Sequence, residues 1–145
     1  MSADFRTHWE ITPDLARMRA NVELFGVACG LKGDRLQDLL IAVNEGMSNA
    51  LEHGDMPGTV TLFERQVGVG VEIVDSGNSL HAGHLTLEPS PDAKRGMGLW
   101  IIRRICGEVR IDHPGGRSRL SFYVGRADAA EDDGEAMPGT AAEPL

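Results

Sequence analysis

The chain has 145 residues, 22 acidic against 14 basic side chains, a formal net charge of −8 and 41% hydrophobic residues, enough for one domain with a real core. "MSADFRTHWEI" is too polar and mixed in charge for a signal peptide, and no apolar run approaches a membrane-spanning length. Cys29 and Cys106, the two cysteines, form neither a metal-ligand spacing nor a disulfide framework, which points to a reduced, cytoplasmic protein.

In chain order, "DFRTHWEIT" alternates as an edge strand does and ends at Pro13. From Pro13 to about Cys29, Leu15, Met18, Val22, Phe25 and Val27 recur at helical spacing, with Pro13 suited to the first turn and Gly30 to the stop. A second helix runs from about Asp34 to His53 with Leu36, Leu39, Val43, Met47 and Ala50 on its apolar side, and Gly54 ends it. "GTVTLFERQ" and "VGVEIVDSG" then read as two strands, turning at "VGVG". "NSLHAGHLTLEPSPDAK" reads as an irregular loop, and "RGMGLWIIRRIC" as a glycine turn feeding a third helix. "EVRIDH" and "RSRLSFYV" close the domain as a hairpin across "PGG".

The remainder, residues 127–145, holds six acids and no Lys or Arg, so residues 1–126 are nearly neutral at −2. Its Ala, Gly, Pro and acid content cannot build a core and reads as a disordered acidic tail. The basic residues form no stripe or aromatic-interleaved patch, so nothing suggests nucleic-acid binding. Helices grouped against a largely antiparallel sheet, rather than alternating with every strand, predict an α+β two-layer sandwich with the helices on one face over residues 1–126.

Three patches carry chemistry. Glu45, Asn49 and His53 stand at intervals of four and share one face of the second helix. An ordinary wet face explains them, but an amide oxygen also suits a hard cation, and a carboxylate one turn away can take a proton from a hydroxyl aligned on a phosphate. In "IVDSGN", Asp75 ends an apolar strand just before Gly77. This is either a common turn or a carboxylate for a base amine, with a glycine that lets a ring approach the backbone. In "KRGMGLW", Gly96 and Gly98 precede a helix, with Lys94 and Arg95 beside them. This is either a flexible loop or a set of backbone N–H groups presented to phosphates.

Taken together and in this order, the patches resemble a known family. "NEGMSNALEH" is similar to the N box of the GHKL (Bergerat-type) ATPases, whose members include gyrase, heat-shock chaperone, histidine kinase and mismatch-repair types. "VDSGN" resembles their adenine box and "RGMGL" their G-x-G-L box. The small size, the two opening helices and the short loop resemble the bacterial anti-sigma-factor serine kinases, over about residues 4 to 125. The resemblance implies ATP with Mg²⁺, Glu45 as general base toward a serine hydroxyl, and Asn49 as the Mg²⁺ ligand. It further implies Asp75 on the adenine amine with Gly77 near the ring. Arg95, Gly96, Met97, Gly98 and Leu99 would form the loop around the phosphates. His53 receives no chemistry. Relatives usually carry Gly-Thr where this chain reads "PGGRSRL", and at the level of sequence it stays open whether Ser118 replaces that threonine near the phosphates.

The function so implied is an ATP-dependent protein-serine kinase and anti-sigma factor. It would phosphorylate a small STAS-type anti-sigma-factor antagonist, sequester a sigma factor, and form a homodimer through the sheet or the N-terminal region, with no nucleic acid or membrane as partner. The altered "GGRS" segment keeps an alternative in view, a partner-switching module that holds nucleotide without turnover. A two-component histidine kinase is disfavoured because no helical dimerisation segment carries a phospho-acceptor histidine.

Overall fold

The computed structural model describes residues 5–53, 58–76 and 97–126. Its elements are β1 (Arg6–Glu10), α1 (Leu15–Ala28), α2 (Gly33–His53), β2 (Thr59–Arg65), β3 (Gly68–Asp75), α3 (Met97–Ile105), β4 (Gly107–Asp112) and β5 (Ser118–Gly125). The five strands form one sheet in the order β1-β2-β3-β5-β4, and every described pairing is antiparallel. The α+β two-layer expectation therefore holds. Gly54, the 77–96 segment and the acidic tail lie outside the described residues.

Strand alternation decides which face the helices cover. Along β5, Ser118, Leu120, Phe122 and Val124 are buried while the residues between them are half-exposed. The register carries that face across the sheet, through Leu120 to Ile73 and Val60 and through Phe122 to Val71 and Leu62. Met18, Val22 and Phe25 of α1 and Leu39, Val43 and Met47 of α2 close the core from above. Each such side chain, fully buried, contributes about 1.5–3 kcal/mol.

Local chemistry corrects three expected boundaries. Pro13 is not in the first turn of α1. Asp14 caps that helix, its Oδ1 accepting from the Arg17 N–H at 3.2 Å, and the proline precedes the cap. Gly30 does terminate α1, with φ +92, a conformation glycine adopts without a Cβ clash. The hairpin turn is Gln66–Val67 rather than "VGVG", and Gly68 and Gly70 lie inside β3. There Phe63 packs over Gly70 across the strand pair, where a Cβ would collide with its ring. Finally, α3 begins at Met97, so Gly98 belongs to the helix rather than to the loop before it.

α2 reaches the middle of the sheet because of Gly46. A Cβ there would overlap Ile73 Cδ1 and stand 3.6 Å from Leu120 Cδ2. A glycine inside a helix costs about 1 kcal/mol relative to alanine, and here the close helix–sheet contact gives that position its packing reason.

Candidate active site

The Gly46 contact fixes what lies beside it. Glu45 and Asn49 are one turn apart on α2, both half-buried. Among the described residues neither side chain has a hydrogen bond or ion pair. Asn44, next to Glu45 in sequence, points elsewhere, its Oδ1 accepting from Arg19 Nη1 of α1 at 3.0 Å. The turn of α2 thus divides its polar residues, with one tying the helices together and two left available.

β3 supplies the floor. Ile73, the residue under Gly46, and Asp75 are both buried on the helix-bearing face, one strand repeat (about 6.7 Å) apart. Asp75 is 8% exposed, a rare setting for a carboxylate. Its register partner on β5 is Ser118, 1% exposed. The open question about Ser118 has a structural answer: it sits beside the buried carboxylate at the end of β3. Next to it, Arg119 grips Asp112 through two hydrogen bonds, Nε to Oδ1 at 3.0 Å and Nη2 to Oδ2 at 2.6 Å, closing the β4–β5 hairpin. The guanidinium donors hold the Asp112 carboxyl below its ordinary pKa.

The third wall is the start of α3. A Cβ on Gly98 would stand 3.0 Å from Glu45 Oε1 and 3.6 Å from Glu45 Cβ, so the first turn of α3 lies directly against the Glu45 side chain. The free N–H groups and positive dipole end of a helix start favour an anion there. Leu99 is 4% exposed and belongs to the core. It anchors α3, and only its backbone is placed to face a ligand. Gly77, Arg95 and Gly96 lie outside the described residues, as do the side chains of Met97 and His53.

The structure thus brings Glu45, Asn49 and Gly98 to one place, with the Asp75–Ser118 pair on the sheet below α2. Gly46, which sets the height of α2 over Ile73, was not singled out from the sequence, although an isolated glycine in an apolar helix is the signal for such a contact. One amide oxygen with a nearby carboxylate fits a Mg²⁺ that takes its other ligands from phosphates and water. Accordingly, no group of three His, Cys, Asp or Glu that could hold a metal occurs among the described residues. Nor is any helix among them long and apolar enough to cross a membrane.

No curated protein matches the chain. A family model does, over residues 11–123, and its description is a histidine kinase-like ATPase domain.

Proposed function

The chain belongs to the histidine kinase-like ATPase domain family, and we propose that within it this protein is an ATP-dependent protein-serine kinase acting on a small anti-sigma-factor antagonist. In the cytoplasm it would alternate between that STAS-type partner and a sigma factor, and so regulate transcription by exchange of partners. The observation that carries the reading is the Glu45–Gly98 contact, a half-buried carboxylate without an intramolecular partner among the described residues, set against a helix start.

Each residue has a role in this reading. The Asp75 carboxylate accepts from the adenine amine, and the Ser118 hydroxyl beside it completes the polar edge for the base. Asn49 holds Mg²⁺, which neutralises phosphate charge when bound. The N–H groups at the start of α3, preceded by Arg95 and Gly96, take the terminal phosphates. Glu45 accepts the proton of the substrate serine as its oxygen bonds to the γ-phosphorus, and the bond to the β–γ bridging oxygen breaks to release ADP. The protein's work is to position and to supply charge, since phosphoryl transfer needs little covalent chemistry from the enzyme.

The test is incubation with radiolabelled ATP and the antagonist recovered by pull-down from the source cells. Label on an antagonist serine with wild-type protein, and none with Glu45→Ala, is the expected result. Intact nucleotide binding with no transfer by the wild type would favour the partner-switching module, and equal transfer by Glu45→Ala would remove Glu45 as the base.

A further inference from the structure

β1 is one edge of the sheet among the described residues, and its backbone polarity can be read from its ends. Phe5 O accepts from the Glu64 N–H at 3.0 Å, and the Ile11 N–H donates to Gly58 O at 2.8 Å. In an antiparallel ladder alternate residues point their backbone groups to the same neighbour. Phe5, Thr7, Trp9 and Ile11 therefore face β2, and Arg6, His8 and Glu10 turn theirs to the open edge. These three also carry the exposed side chains of the strand. Among the described residues Arg6 and Glu10 have no ion pair or side-chain hydrogen bond, and His8 is held by Thr61 Oγ1 at 2.6 Å.

The opposite edge is protected. β4 has an irregular register between Gly107 and Arg110, and Glu108 takes a left-handed φ of 55 there, which breaks the ladder. β1 has no bulge, proline or lysine to discourage pairing.

The sequence of β1, Arg-Thr-His-Trp-Glu, is complementary to itself when reversed. We infer that two copies of this chain join edge to edge through β1, antiparallel, with the two-fold axis at His8. In that register His8 opposes His8 of the second copy, and Arg6 opposes its Glu10 on both sides of the axis. The three residues whose backbone faces the edge become the three hydrogen-bonded pairs, and the charges at both ends match. Shifting the register by two residues in either direction breaks the Arg–Glu match. The sheet would then run on through ten strands.

α1 adds an apolar contribution. It covers the β1 side of the sheet through the stacked Phe5 and Phe25 rings, 4.9 Å apart. Gly26 meets Leu36 and Leu39 of α2, and Leu24 lies roughly 160° around α1 from Gly26, on the flank turned away from α2. Leu24 is 72% exposed, the most exposed of the large hydrophobics among the described residues. A second copy joined at β1 brings its own α1 to the same side of the seam. This assigns the self-association expected from the sequence to one edge and one register, and it does not depend on nucleotide chemistry.

Sedimentation velocity on the full chain over a range of concentrations tests it. The wild type is expected to show a concentration-dependent monomer–dimer equilibrium. Arg6→Glu and Glu10→Arg each place two like-charged pairs across the seam and should weaken it about tenfold, while the double swap restores it. His8→Pro removes an N–H that faces the edge rather than β2, and should give a monomer with wild-type circular dichroism. A wild-type protein that stays monomeric throughout overturns the inference, as does a dimer indifferent to the single swaps. If His8→Pro fails to fold, the charge-swap series decides alone.

Discussion

At the scale of single residues, Gly98 and Glu45 carry the most specific expectation. Alanine is the better helix former, so Gly98→Ala should leave thermal stability near wild type. Its methyl carbon, 3.0 Å from Glu45 Oε1, forces the carboxylate aside. Turnover is expected to fall about tenfold or more while nucleotide affinity changes little, because misplacing a reacting group is costly to the transition state. Paired kinetics and calorimetry check this, and unchanged turnover would show that the carboxylate position is not used.

The two thiols make a second residue-scale prediction. Burial, with a further push from the Glu64 charge, raises Cys29 to about 11, and burial raises Cys106 to about 12. The folded protein therefore keeps its protons where an unfolded cysteine would lose them, near pH 8.5–9. A group whose folded pKa is raised stabilises fully below its unfolded pKa, and that stability is lost as pH rises through about 9 to 11. Thermal midpoints should fall over that range, and less steeply in Cys29→Ala at matched ionic strength. Labelling by a thiol reagent at pH 8 should be slow until denaturant is added.

At the scale of elements, the close approach of α2 to the sheet is a paired design. Gly46→Ala collides with Ile73 Cδ1, the atom that Ile73→Val removes. The single substitution in α2 should cost about 1–3 kcal/mol by overpacking, and the double variant should recover part of it. A urea-denaturation cycle measures the coupling, and additive effects would show that the two positions do not meet. Legibility in the sequence also divides at this scale. Period alone located every described helix and strand, because 3.6- and 2-residue patterns are local. The turn was misplaced onto "VGVG" because Gly68 and Gly70 suggest flexibility. Their actual reason is non-local, a crowded β5 backbone beside Gly68 and the Phe63 ring over Gly70. The candidate site was legible as residue types in order, but the pairing of Ser118 with Asp75 depends on a strand register that no single stretch encodes.

At the scale of the whole molecule, the two ends of the sheet have different tasks. One end gathers Asp75, Ser118 and the start of α3. The other is closed by Arg126, whose guanidinium donates to Cys29 O at 2.8 Å, Gln66 O at 2.6 Å and Glu64 Oε2 at 2.9 Å. That one side chain joins the end of α1, the β2–β3 turn and the last residue of the described domain, while Arg35 Nε of α2 holds Gly125 O at 3.1 Å. Arg126→Ala leaves the Glu64 carboxylate, whose side chain is only 12% exposed, without its counter-charge. A loss of about 1–3 kcal/mol is expected. Because β5 spans eight residues between the two ends, catalysis should survive at temperatures where the variant remains folded.

The account as a whole rests on one nucleotide site that spans β3 and α2, with binding and chemistry assigned to different residues. Isothermal titration of ATP·Mg²⁺ into wild type, Asp75→Asn and Glu45→Ala separates them in one measurement. Wild type and Glu45→Ala should bind with similar affinity and Asp75→Asn at least tenfold more weakly, in proportion to the loss of a buried charge-assisted hydrogen bond. Binding by Asp75→Asn equal to wild type, or no binding by the wild type at all, would contradict the account.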